Sequence, residues 1–379
     1  MGLHEVYINS IGTFLPNEPI TNNQMEALLG IAGNKPSRAR AIVLRNNGIK
    51  TRYYAIDPAT GKRSHSNAEM TVEAIRNLGI DTSDIQSLAC GSSSPDQLLP
   101  SHAVMVHGEL GNPPCDIASF AGICVSGFQA VKYGYMSIRS GETENAVCTG
   151  SELASPSMRG SQFGTETADK TEALGNNPIL AFEKDFLRWM LSDGAGAMWL
   201  QSKPGKGISF KIEWIETRSY ANELSACMYQ GGVKQADGSL TGYRDFTPQQ
   251  IAEQSVLALQ QDVKLLNEKV CDVIARGLDH TIRKHNIDLK DIDYYLPHIS
   301  SEYFRSRLHE AFLAKGHDIP LAKWFTNLSE VGNIGSAAIY HILAALRDSG
   351  KLQNGQKLLL MVPESGRFTT SHALLTVVA

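Results

Sequence analysis

Ile80-Asp81-Thr82-Ser83-Asp84-Ile85 returns 207 residues later as Ile287-Asp288-Leu289-Lys290-Asp291-Ile292. Six residues can match by chance, but the surroundings match as well. Each copy follows a helical pattern, Ala68 to Leu78 and Val270 to His285, and precedes an apolar strand, Ser87 to Gly91 and Tyr294 to His298. Both strands run on into serines, Ser92-Ser93 and Ser300-Ser301. An element order repeated at a fixed offset points to two copies of one structural plan.

The repeat continues outward. Cys124 to Ile138 reads as a helix with Val125, Phe128, Val131 and Tyr135 on one side, stopping at Ser140-Gly141. Asn333 to Arg347 reads as its counterpart, stopping at Ser349-Gly350. The two stops are 209 residues apart, and the same offset sets Cys124 against Asn333. A strand follows each helix, Asn145 to Thr149 and Lys357 to Val362. A closing strand follows in turn, Ala195 to Leu200 and Ala373 to Val378. Near-continuous apolar strands alternating with helices predict an α/β chain with a mixed, largely parallel sheet in each half. The halves are expected at 1–205 and 206–379. The connection 153–190 has no counterpart in the second half, and loops of that length are usually lids or binding elements.

Composition narrows the function. A chain of 379 residues has room for two or three units of roughly 100–200 residues. With 42% hydrophobic and 20% charged residues it is neither disordered, coiled coil nor collagen-like. A net charge of −4 supplies no global field for nucleic acid or an anionic membrane. Met1-Gly2-Leu3-His4-Glu5-Val6 is not a secretory start, and Val6 stands where myristoylation wants Ser or Thr. Apolar runs such as Leu358 to Val362 are strand-length, so no membrane span and a cytoplasmic location are expected. The six cysteines include no Cys-x-x-Cys pair, so most are expected to be reduced, packed thiols.

Three residues carry chemistry. Gly122-Ile123-Cys124-Val125-Ser126-Gly127-Phe128 puts a cysteine at the first turn of a buried helix. There the helix dipole and free amides favour a thiolate nucleophile and can hold an oxyanion. His298 follows Pro297 at a strand end, where side chains of α/β sheets reach ligand crevices. Asn333, in Val331-Gly332-Asn333-Ile334-Gly335-Ser336-Ala337-Ala338, could offer a fixed neutral donor. Each also has a plain reading, as packed thiol, satisfied core histidine or helix cap. Together they suit carbanion chemistry on a thioester, one group carrying the acyl chain and two stabilising an enolate.

Asp116-Ile117-Ala118 through Cys124-Val125-Ser126-Gly127-Phe128, Leu296-Pro297-His298, and Gly332-Asn333-Ile334-Gly335-Ser336-Ala337-Ala338 resemble the three signature motifs of β-ketoacyl-ACP synthase III, in the thiolase superfamily. Ser192-Asp193-Gly194-Ala195-Gly196-Ala197 resembles the family's turn before the last strand of the first half. The resemblance implies a thiolase-like five-layered αβαβα fold built from two pseudo-symmetric halves, a homodimer, and ping-pong acyltransferase chemistry. Cys124 would take an acyl group from CoA or an acyl carrier protein. His298 and Asn333 would stabilise the enolate of a malonyl- or β-ketoacyl-type thioester that attacks it. The backbone N–H groups of Cys124 and Gly366 would form the oxyanion hole. Leu99 would reach across the dimer into an acyl pocket, with Phe128 also expected at that pocket. No cofactor and no metal is expected.

Two departures shift the expected role. Ile299-Ser300-Ser301 stands where the family usually shows Gln-Ala-Asn, and the lid is longer than in fatty-acid-initiating members. Both resemble a specialised branch making dialkylresorcinol, cyclohexanedione or aryl-polyene lipids. Housekeeping fatty-acid initiation, type III polyketide synthesis and non-condensing acyl transfer on the same fold are the alternatives. A degradative thiolase needs a cysteine near the C-terminus, and the last one here is Cys271. A serine-hydrolase elbow, a His-Glu-x-x-His motif and a complete dinucleotide fingerprint are absent from the sequence. For CoA or carrier docking, residues 34–55 supply Lys35, Arg38, Arg40, Arg45, Lys50 and Arg52 with no acid among them, and Arg305 and Arg307 form a second patch.

Overall fold

The computed structural model describes residues 2–31, 40–163 and 187–379. Lys35, Arg38 and residues 164–186 of the expected lid lie outside the described residues.

Nine strands form one mixed sheet: β1 (Tyr7–Phe14), β2 (Ser87–Ser92), β3 (Asp116–Ala121), β4 (Asn145–Glu152), β5 (Gly194–Gln201), β6 (Ser209–Ser219), β7 (Tyr294–Pro297), β8 (Lys357–Glu364) and β9 (Thr369–Val378). Their order is β7-β8-β9-β6-β1-β5-β4-β2-β3. From one end, β2 and β4 pair in parallel, then β5 and β1 follow antiparallel. From the other end, β7 and β8 pair in parallel, then β9 and β6 follow antiparallel. The parallel β3 beside β2 is echoed by a single parallel bridge from Tyr295 to Trp324 beside β7. The two runs meet at the middle through Tyr7↔Lys211 and Ile8↔Phe210. The central pair β1 and β6 was not singled out from the sequence. The expected boundary at 205/206 falls between β5 and β6.

Six helices matter for the layers: α1 (Asn67–Arg76), α2 (His102–Leu110), α3 (Val125–Ser140), α4 (Val263–His285), α5 (Tyr303–Ala314) and α6 (Ala338–Asp348). Phe128, Val131 and Tyr135 of α3 share one core with Tyr340, Leu343 and Leu346 of α6 and with Ile11, Met198, Ile212, Leu360 and Leu375 from the strands. Outside it, Met70, Ile75 and Val106 of α1 and α2 pack on Leu88, Val147 and Trp199. On the opposite side, Leu278, Leu308 and Phe312 of α4 and α5 pack on Tyr295, Leu359 and Met361. Along β8, Leu358, Leu360 and Val362 face the central helices while Leu359 and Met361 face the outer pair. Both faces of the sheet are covered, which is why the strand reads as an unbroken apolar run. Counting the two halves of the sheet separately, with α3 and α6 between them, the layers are helix, sheet, helix, sheet, helix.

Local signals set the helix ends. Ser66 and Glu69 close a capping box at the start of α1, and left-handed Gly141 ends α3 where Ser140-Gly141 was predicted to. Asp262 caps α4 through Leu265 N–H, so that helix begins seven residues before the predicted Val270. The helix expected from Asn333 starts instead at Ala338, after a 3₁₀ turn over Gly335–Ala337. Gly335 has φ +48°, and a Cβ there would lie 2.0 Å from Glu152 Oε2, so an α-helix cannot run through it. A Cβ on Gly127 would lie 2.3 Å from the Ser336 carbonyl oxygen. That glycine lets the start of α3 approach the turn before α6, which brings the Cys124 and Asn333 segments together.

Candidate active site

Cys124 occupies the N-cap position of α3, at the end of the loop leaving β3. His298 continues from β7, its backbone N–H donating to the Met361 carbonyl at 2.8 Å. Asn333 is tied on both sides of its backbone, its N–H donating to Met190 O at 3.0 Å and its C=O accepting from Ser192 N–H at 2.9 Å. All three side chains line a single cavity. Its polar lining also includes Glu152, Glu364, Ser93 and Ser94. Its apolar lining includes Met190, Leu191 and Leu259, Leu266, Val270 and Ile274 of the α4 region, and Phe304 and Leu308 of α5.

The donors are defined by their partners. Burial lowers the His298 pKa to about 4, so its imidazole is neutral at physiological pH, with one ring N–H to give. The Asn333 Oδ1 accepts the Gly335 N–H at 3.1 Å, which leaves the amide NH₂ as that side chain's donor toward the cavity. Gly366 lies in the β8–β9 turn against Ile123, and its carbonyl accepts from the backbone of Cys227 at 2.8 Å. Asp193, in the turn before β5, accepts Ala55 N–H at 2.7 Å and Ser155 N–H at 2.9 Å and so ties together the loops around the site. Burial raises its pKa to about 6 against those bonds.

The expected thiolate is a correction. Burial raises the Cys124 thiol, and the carboxyls of Glu152 and Glu364 raise it further. The helix start is too weak to offset desolvation and two acids, so Cys124 rests as a protonated thiol. Neither acid stood out in the sequence. Glu152 ends β4 and accepts both Ser93 and Ser94 hydroxyls at 2.5 Å and Ser336 N–H at 3.2 Å. Glu364 ends β8 and accepts Ile123 N–H at 3.1 Å. A charged residue closing an apolar strand was the available signal. The segment supplying Met228, Gln230, Leu259 and Gln261 to the cavity was missed as well, since its short hairpins carry no chemical motif.

Other expected site residues fall elsewhere. Phe128 is buried in the central core and does not line the cavity, because its face of α3 packs toward α6 and the sheet. Leu99 is 82% exposed, in the loop leading into α2. Arg52 is 0% exposed: its guanidinium donates to Asn22 Oδ1 at 2.6 Å and to Trp189 O at 2.7 Å, so it cannot dock a partner. Arg40 pairs with Glu26 at 2.6 Å and lies over the Trp189 ring, and Arg305 is held by Glu302 at 2.6 Å. Arg45 is exposed. Arg307 donates to Asn267 and Tyr303, both neutral. Among the described residues no group of three or more His, Cys, Asp or Glu could hold a metal, and no helix is long and apolar enough to cross a membrane.

Comparison with known proteins adds four findings. The family described as 3-oxoacyl-[acyl-carrier-protein (ACP)] synthase III C terminal matches residues 282–374, the part that contains His298 and Asn333. β-Ketoacyl-[acyl-carrier-protein] synthase III of Xanthomonas campestris pv. campestris (strain 8004) is 24% identical over 368 residues, covering 97% of each chain. Among solved structures, OleA of Xanthomonas campestris, in a cysteine-to-serine form with bound lauric acid and lauroyl-CoA, superposes with a TM-score of 0.73. It is 20% identical over 98% of this chain and 99% of that one. AbyA1, a tetronic acid condensing enzyme, superposes with a TM-score of 0.73 at 19% identity over 98% and 99% of the two chains.

Proposed function

From the premise that this chain is a β-ketoacyl-ACP synthase III-like ketosynthase of the thiolase superfamily, we propose that Cys124, His298 and Asn333 are its catalytic residues. Cys124 takes an acyl group from a CoA or carrier-protein thioester. The thiol proton leaves with the departing thiolate, and the acyl group stays on sulfur. A second thioester then binds in the same cavity as an enolate, its oxygen held by the His298 ring N–H and the Asn333 amide. Its carbon attacks the acyl carbonyl, and the C–S bond breaks as the new C–C bond forms. The N–H groups of Cys124 and Gly366 hold the oxyanion of the intermediate.

The observation that carries this reading is the convergence of the three side chains on one cavity, with the histidine neutral and the asparagine oxygen already occupied. Both enolate contacts are then N–H donors, the polarity that an enolate oxygen requires. Simple acyl transfer to an amine or alcohol makes no use of that pair. The apolar wall of α4 and α5 suits a hydrocarbon acyl chain and a role in specialised lipid or polyketide synthesis. We also infer a cytoplasmic homodimer. Among the described residues edge strand β3 has one unpaired side, and Leu98 and Leu99 are exposed in the loop beyond β2. Arg45 and Arg307 are the docking cations in this reading.

Intact-mass measurement after mixing with acyl-CoA thioesters of several chain lengths tests the nucleophile. The protein should gain one acyl mass, and Cys124→Ala should gain none. An adduct of equal yield on Cys124→Ala would assign the acylation elsewhere, for instance to Cys271, whose residue also lines the cavity.

A further inference from the structure

Deprotonating the second thioester requires a base, and the cavity restricts the choice. His298 is committed as a donor, since the enolate oxygen takes its ring N–H. Asn333 has its oxygen committed to Gly335 N–H. Glu152 is saturated by three donors, two serine hydroxyls and the Ser336 amide. Glu364 differs. It lines the same cavity as Cys124, and its carboxylate accepts two donors rather than three, the amide of Ile123, the residue immediately before Cys124, at Oε2 and the Thr369 hydroxyl. No cation pairs with it among the described residues. It is only part-buried, and burial raises its pKa above the ordinary carboxylate value, which strengthens it as a base.

We propose that Glu364 is the general base of the condensation, generating the enolate by removing an α-proton from an acyl or β-ketoacyl thioester, so that the second substrate need not be a malonyl group. The step balances without any further reactant. The α-C–H bond breaks, its proton goes to the Glu364 carboxylate, and its electron pair becomes the enolate held by His298 and Asn333. The enolate carbon bonds to the acyl carbon on Cys124, and collapse of the intermediate breaks the C–S bond. The Cys124 thiolate recovers the proton from Glu364, which resets both groups. A malonyl substrate makes the same enolate by losing CO₂ and has no use for this base.

The inference rests on the ketosynthase reading, and Glu364→Gln separates the two. The glutamine carbonyl can still accept the Ile123 N–H. The variant should still take the acyl group onto Cys124, no more slowly than wild type because a charge that holds the thiol protonated is gone, but lose condensation with acyl and β-ketoacyl thioesters by about 100-fold or more. Glu364→Asp should recover part of that loss. Deuterium wash-in at the α-carbon of an acyl-pantetheine in D₂O, with Cys124→Ala so that nothing condenses, should vanish when Glu364→Gln is added. Condensation by Glu364→Gln within threefold or so of wild type, or undiminished wash-in, overturns the base assignment. So does a wild-type enzyme that condenses malonyl thioesters only, with the ketosynthase reading left standing. Absence of any adduct or condensation in the wild-type enzyme removes both.

Discussion

At the scale of single residues, the candidate site was legible where a residue type is scarce and its position unusual. A cysteine opening a buried helix, a histidine ending a strand and an asparagine between two glycines stand out because each is rare in that setting. The acids did not, since a glutamate reads as surface until the strand it closes is known to be buried. Arg52 shows the converse: a basic run suggests an exposed face, yet this guanidinium is enclosed beneath Trp189 O and Asn22. The division of labour makes a prediction at this scale. His298→Ala and Asn333→Ala should each still acylate Cys124, while condensation falls by about 100-fold, the size expected when an oxyanion donor is lost. Acyl-enzyme trapping and product release measured side by side check this. Equal losses in both half-reactions would deny these residues an enolate role.

At the scale of elements, periodicity located α3 and its Gly141 stop because the apolar stripe and the left-handed stop are local properties. The start of α6 was misplaced because its cause is tertiary: Glu152, contributed by another strand, occupies the space a Cβ on Gly335 would take. Strands β1 and β6 were missed because neither carries a strict alternation along its length, β1 burying its residues in pairs, and no motif marks them. The close passage of α3 past Ser336 predicts that Gly127→Ala is costly. Its new methyl would meet a backbone carbonyl at 2.3 Å, and an overpacked contact of this kind costs about 1–3 kcal/mol. Denaturant midpoints should register the loss, and condensation should fall with it because the Cys124 and Asn333 segments are pushed apart. An unchanged midpoint would show that the two segments are not held by this contact.

At the scale of the whole molecule, the near-constant offset between the halves was legible because a repeated element order survives where individual residues diverge. The common sheet through β1 and β6 was not, since it depends on pairing between distant strands. The finished fold buries four histidines that are held neutral by desolvation: His102, His298 and His341 with pKa values of about 4, and His372 at about 3. The unfolded chain protonates them below about 6.5, so the stability they contribute is complete above that pH and lost as pH falls toward 4. Asp193, raised to about 6, acts in the opposite sense, as do Glu152 and Glu364, but the four histidines outnumber the three acids. Melting temperature should therefore drop between pH 7.5 and 5. His372→Leu should shrink that drop, since it removes a buried ring whose Nε2 has no partner among the described residues. An unaltered pH dependence would move the acid sensitivity to other groups. The central claim is that both halves contribute to one condensing site, and the most direct test starts from purified acyl-enzyme with the acyl group already on Cys124. On adding a second thioester, the acyl mass should leave the protein and reappear in a product joined to the second chain by a carbon–carbon bond. Release of the acyl group only as free acid, or its transfer to an oxygen or nitrogen acceptor, would contradict the account.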